Sequence, residues 1–122
     1  MNQPTPSVTR SDVERIVRRD FPSEDCATVM ALLDDYGTKS YEREKDRVQL
    51  AVLKLAAGSI DDLLCLIQTA KLDYRDVLSL AEYPSYRWSE KDETRIQKMY
   101  RDDWQQYSDW LNKGSNQQSE QV

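Results

Sequence analysis

The sequence predicts an all-α fold, a compact domain of five to six helices that ends in a long amphipathic helix. Only three glycines and four prolines occur in 122 residues, too few for the many tight turns of a sheet protein of this size. Apolar residues recur instead at steps of three and four, the period of one helix face. The length fits one core, so we predict one helical domain over 9–113 between disordered polar ends at 1–8 and 114–122.

The first two predicted helices are short and are separated by a proline. Ser11 and Glu14 have the spacing of a capping box, which predicts the start of the first helix. Pro22 disfavours helical geometry at Phe21 and should end that helix. The second helix should close near Gly37, because glycine adopts the left-handed conformation without strain.

The third predicted helix, which ends at Gly58, is apolar on two sides. Its two apolar series are Val48, Ala51, Val52 and Leu55, and Leu50, Leu53 and Ala57. A helix that is apolar on two sides packs on two sides, so we place it at the centre of the fold.

Three further helices are predicted after Gly58. Ser59 is the expected N-cap of the fourth helix. The apolar series of that helix is Ile60, Leu63, Leu64 and Ile67. Asp73 begins a short fifth helix that Pro84 ends, and the last helix runs from about Ser89 to Lys113. The apolar series of the last helix is Ile96, Tyr100, Trp104, Tyr107 and Leu111.

Composition narrows the classes of function. A net charge of −5 argues against duplex binding, because phosphate contacts supply most of that affinity, and we expect no nucleic-acid partner. No apolar run is long enough to span a membrane, and the N-terminus lacks a secretory signal, which favours a cytoplasmic location. The chain has no histidine, and Cys26 and Cys65 lack metal-ligand spacing. We therefore expect no cofactor and no metal, and two buried free thiols.

Three motifs carry a resemblance to a known group of proteins. They are Asp46–Ala51, Leu55–Gly58 and Asp73–Leu78. The segment from Tyr36 to Pro84 that contains them resembles a group of small, all-helical bacterial proteins to which no activity is assigned. This resemblance implies a bacterial origin and transfers no catalytic residue.

Aromatic residues concentrate towards the C-terminal end, where all three tryptophans lie. A single helix face cannot bury all of them, and the neighbouring helix positions are charged or carry amides. Aromatic residues with a polar rim are typical of protein interfaces. We therefore predict a partner-binding surface formed by Trp88, Met99, Trp104 and Trp110.

These features predict a small acidic module for protein–protein interaction: an adaptor, regulator or immunity-type protein without catalytic activity. It should bind a protein partner, or a second copy as a homodimer, through the C-terminal helix. One alternative is a Mg²⁺-dependent hydrolase with the carboxylate pairs Asp73/Asp76 and Glu90/Glu93, although both pairs lie in first turns, where acids stabilise the helix dipole.

A second alternative is a regulator associated with nucleic acid. It would use the arginines of the first helix, which are Arg15, Arg18 and Arg19. Arginines on a short amphipathic helix more often form a solvated face beside acidic neighbours, and the acidic balance of the chain disfavours this alternative.

Overall fold

Six α-helices make up the regular structure of the chain where it is described. The computed structural model describes residues 5–85 and 91–113. The helices are α1 (Arg10–Asp20), α2 (Ser23–Leu33), α3 (Lys45–Ala56), α4 (Ile60–Leu72), α5 (Tyr74–Glu82) and α6 (Glu93–Asn112). Neither described range contains a strand. The predicted all-α class and the long C-terminal helix are confirmed.

The chain divides into two compact units. The first is residues 6–81, and the second is residues 82–122 together with 1–5. The first unit therefore holds α1 to α4 and nearly all of α5, and the second holds α6. The expected single domain over 9–113 stays a prediction. The expected tail at 114–122 lies outside the described residues, and Pro6, in the expected disordered start, is buried.

The first unit is built around α3, as its two apolar sides predicted. This helix packs against both α1 and α4, and α2 also packs against α1 and α4. All six residues of Val48–Leu53 are buried, which covers more than one face of a helix. Leu50 and Leu53 have no exposed surface, whereas Leu55 is only half-buried. The helix is thus covered most completely in its middle, from Val48 to Leu53.

Local capping explains where α1 and α4 begin. Thr9, rather than Ser11, is the N-cap of α1, and its backbone N–H donates to the Asp12 carboxylate at 3.0 Å. The predicted capping box therefore starts two residues too late. Ser59 caps α4 as predicted, since its hydroxyl accepts from the backbone N–H of Asp62 at 3.2 Å.

The end of α3 uses a left-handed turn. Ala57 has φ 50° and donates its backbone N–H to Leu53 O at 3.2 Å, and Gly58 follows with φ 86°. Ala57 is exposed, so it does not belong to the apolar series in which the pattern placed it. A Cβ on Gly58 would lie 3.3 Å from the backbone oxygen of Asp20. The turn thus begins one residue before the predicted glycine.

The two cysteines differ in their surroundings. Both are free, but Cys26 is half-buried and Cys65 is exposed. The thiol of Cys26 lies 3.4 Å from the carbonyl oxygen of Pro22. The expectation that both thiols are buried is therefore wrong for Cys65, which lies on the outer side of α4. None of the helices within 5–85 and 91–113 is both long and apolar enough to cross a membrane.

Candidate interaction surface

Helix α6 is held within the second unit by polar contacts to the last residue of α5 and to the segment that follows it. Asp103, only 2% exposed, accepts the backbone N–H of Ser85 at 3.1 Å through its carboxylate. The side-chain amide of Gln106 donates to Glu82 O at 3.5 Å. Asp92 caps the start of the helix by accepting from two backbone N–H groups. These bonds set the rotation of α6 about its axis relative to residues 82–85.

Aromatic contacts line the buried side of α6. The rings of Tyr83 and Tyr100 meet edge to face, with centroids 5.5 Å apart and an interplanar angle of 77°. The Tyr107 ring lies 5.6 Å from that of Trp110 at 54°. Tyr83 and Tyr107 are buried, at 3% and 2% exposed. Tyr83 and Tyr107 are therefore core residues, whereas Tyr100 and Trp110, whose rings contact them, are half-buried. Edge-to-face and tilted contacts of this kind are favoured by ring quadrupoles.

The structure separates the predicted partner-binding residues. Trp88 lies outside the described residues, whereas Met99, Trp104 and Trp110 are all half-buried residues of α6. At about 100° per residue, Met99 and Trp110 lie within about 20° of each other around the helix. Trp104 lies about 140° from Met99, on the far side of the buried Tyr107. These three side chains do not form one surface.

We call the series Met99, Gln106 and Trp110 the Met99 edge. All three are half-buried and fall within about 40° around the helix, so they lie along one border of the buried side. Exposed side chains beside this border carry both charges. One such pair is Lys98 with Asp102, whose charged atoms are 2.6 Å apart. Apolar side chains such as Met99 and Trp110 beside a mixed-charge rim are typical of protein interfaces.

A polar network around the buried Gln49 joins α1, the end of α2 and α3, and the sequence pattern missed it. Arg10 donates to both carboxylate oxygens of Asp34, at 2.7 and 2.8 Å, and to the Gln49 side-chain oxygen at 3.0 Å. The hydrogen bond from Arg10 holds the pKa of Asp34 below its ordinary value and raises the pKa of Arg10. Gln49 is 1% exposed and donates to Leu33 O at 2.9 Å and to Tyr36 O at 3.3 Å. This network ties the C-terminal end of α2 to α3.

A second buried acid organises the loop between α2 and α3. One carboxylate oxygen of Glu42 accepts three successive backbone N–H groups, 37–39, at 2.9 to 3.3 Å. Burial raises the pKa of Glu42, but these three bonds lower it by more, so the net shift is downward. Glu42 therefore acts as a charged brace for the turn.

Two carboxylates of the predicted hydrolase site, Asp73 and Glu93, are engaged with their own neighbours. Asp73 accepts from the Arg75 guanidinium at 2.9 Å, and this bond lowers the pKa of Asp73. Glu93 accepts from a glutamine side chain one turn later, and Glu90 lies outside the described residues. No three His, Cys, Asp or Glu side chains converge as a metal site anywhere in 5–85 or 91–113.

Two of the three arginines named for the nucleic-acid alternative are also engaged. Arg15 pairs with Asp12 at 3.4 Å and Arg19 with Asp20 at 2.8 Å, while Arg18 is exposed. Paired arginines present less positive charge to an anionic ligand than the sequence alone suggests.

The apolar pattern did not predict which leucines are exposed. Among the described residues, the exposed large apolar side chains are Tyr41, Leu64, Leu72 and Leu80, and none belongs to α6. The pattern placed Leu64 in the buried series of α4, but it is 43% exposed. The buried residues of α4 are Leu63, Ile67 and Ala70. Two adjacent leucines fit the apolar period of α4 equally well, and the position of α3 decides that Leu63 rather than Leu64 is buried.

Comparison of the chain with protein-family models, with curated proteins and with solved structures gives no match.

Proposed function

We propose that this chain is a non-catalytic helical module of the bacterial cytoplasm that binds a protein partner through the Met99 edge of α6. Its biochemical role would be that of an adaptor, regulator or immunity-type protein. The bacterial and cytoplasmic setting rests on the sequence alone. The observation that carries the binding proposal is the position of Met99 and Trp110 on one border of a helix whose rotation Asp103 and Gln106 fix.

The geometry supports binding because it limits the entropy that association would cost. Ring contact with Tyr107 orients the Trp110 indole before any partner arrives. A preorganised aromatic side chain loses little rotamer freedom on binding, so more of the buried apolar area contributes to affinity. Methionine beside it adapts to irregular surfaces.

The test compares two tryptophans of the same helix. Trp110 is already half-buried, so a partner would cover only the remainder, worth about 1–2 kcal/mol or roughly tenfold in affinity. We expect Trp110→Ala to weaken binding of the purified partner by about this factor, and Met99→Ala by somewhat less. Trp104→Ala removes the same indole from the other side of α6 and is the matched control.

The partner is first captured on immobilised protein, identified by mass spectrometry, and its affinity is then measured with each variant by calorimetry. Denaturant unfolding of the same variants separates binding from stability. If Trp104→Ala weakens the complex while Trp110→Ala and Met99→Ala leave it unchanged, the Met99 edge is not the binding surface. A second copy of the chain is the other occupant predicted from the sequence, and sedimentation over a concentration series detects it.

A further inference from the structure

The outer side of α4 carries two leucines that the first unit leaves uncovered. Leu64 is 43% exposed and Leu72 is 90% exposed, and the exposed Gln68 lies midway between them. Steps of four residues place these side chains along one ridge of the helix. We call Leu64, Gln68 and Leu72 the α4 ridge. Two leucines on one such ridge are apolar contacts that a second helix can cover when two helices pack ridge into groove.

Charge around the α4 ridge is unevenly compensated. At its C-terminal end, Lys71 pairs with Asp35 at 3.0 Å, and Arg75 pairs with Asp73 at 2.9 Å. At its N-terminal end, the exposed Asp61 lies between Leu64 and Leu72 around the helix, and the exposed Asp62 lies about 80° beyond Leu72. Neither carboxylate makes an ion pair within the described residues. The cations beside the ridge are therefore already neutralised. Asp61 and Asp62 interact with the N-terminal end of the α4 dipole, but no cationic side chain neutralises their charge within the described residues.

This balance discriminates among occupants of the ridge. A second copy would bring its own acidic side chains and a net charge of −5 against the same charge, and an anionic lipid surface would be repelled in the same way. We propose that the α4 ridge docks a basic amphipathic helix of another protein. Its apolar residues would cover Leu64 and Leu72, and its lysines or arginines would lie against Asp61 and Asp62.

The probe is a synthetic amphipathic peptide of about 18 residues, long enough to form a helix, with leucines on one face and lysines beside them. A second peptide carries glutamate at every lysine position and has the same apolar face. Fluorescence anisotropy measures the binding of each peptide to the full chain. The lysine peptide should bind and the glutamate peptide should not. Raising the salt concentration from 0.1 to 1 M shortens the Debye length from about 10 to about 3 Å and should therefore weaken binding of the lysine peptide.

Variants then separate apolar docking from charge attraction alone. Leu72→Ser keeps every charge and should lower the affinity for the lysine peptide about tenfold, because the leucine would be covered on docking. Leu80→Ser removes an exposed leucine of α5 and is the matched control, expected to change nothing. Asp61→Asn with Asp62→Asn should reduce both affinity and its salt dependence. Circular dichroism of each variant confirms that the fold is kept.

Three results would overturn the proposal. If the lysine peptide bound Leu72→Ser as tightly as it binds the wild-type chain, the acidic chain would attract cations without using the ridge. If the glutamate peptide bound as tightly as the lysine peptide, Asp61 and Asp62 would not select the occupant of the ridge. A dimer in sedimentation that Leu72→Ser dissociates would assign the ridge to a second copy. Trp110→Ala should leave peptide binding unchanged, so the ridge and the Met99 edge are tested independently.

Discussion

Replacing Gln49 with leucine should destabilise the fold by about 2 kcal/mol, although leucine is the more apolar side chain. Gln49 is 1% exposed at the centre of α3 and bonds to residues of α1 and of the α2 end. Leucine has a similar size and can neither donate nor accept. The substitution therefore tests whether this network stabilises the fold or only occupies space in the core.

The magnitude follows from the groups that would lose a partner. Tyr36 O would lose its bond from Gln49, and a buried carbonyl left without a donor costs about 1–3 kcal/mol. Arg10 would lose one bond, worth about 1 kcal/mol, but would keep its two bonds to Asp34. Leu33 O would keep the backbone N–H of Tyr36 at 3.0 Å, so its loss is small. The added apolar surface returns about 1 kcal/mol, which leaves about 2 kcal/mol net.

Urea unfolding followed by circular dichroism measures this difference from the shift in midpoint at constant m-value. Gln49→Glu keeps the shape but puts carboxylate oxygens against two carbonyls, so it should cost more than leucine. Gln68→Leu makes the same change at an exposed position of α4 and should stay within about 0.5 kcal/mol of wild type. A Gln49→Leu protein as stable as wild type would show that the network contributes nothing net.

Two further predictions concern the loop acid and the left-handed turn. Because the folded pKa of Glu42 is lowered, its contribution is fully present above the ordinary glutamate value of 4.5 and is lost as pH falls through the lowered pKa. The unfolding free energies of wild type and Glu42→Gln should therefore differ most above pH 4.5 and converge below it. A difference that does not vary with pH would contradict the bracing role of the carboxylate. Ala57→Gly should stabilise by about 0.5–1 kcal/mol, since it relieves a left-handed alanine at some cost in chain entropy, whereas Ala31→Gly inside α2 should lose about 1 kcal/mol. Thermal melts compare the two, and a loss at both positions would refute the strain argument.

Several features of the fold follow from local sequence. Pro22 marks the break between α1 and α2, and Ser59 caps α4, because capping and proline geometry involve only a few neighbouring residues. The two apolar sides of α3 predicted its central place for a similar reason, since a face that must be buried can be read from spacing alone. These effects depend on chain distances of one to four residues.

Prediction of the candidate surfaces was less complete. The concentration of aromatic residues predicted a surface on α6, and Met99 and Trp110 do share one border of that helix. The pattern did not show that Trp104 lies on the other side of the buried Tyr107, because the rotation of α6 depends on its contacts with residues 82–85. It also did not show that Leu64 faces outward while Leu63 packs inward.

Tertiary structure alone decided which polar groups of different helices meet. Gln49 stands in an apolar run of α3, and nothing in that run identifies its partners, because Leu33 is 16 residues away in sequence and Arg10 is 39. Likewise, Asp34 and Asp35 are adjacent acids, yet one bonds Arg10 of α1 and the other Lys71 of α4. Periodicity determines which residues should leave water. Which buried polar groups meet, and which apolar side chains remain outside, depends on the packing of helices that are distant in the chain.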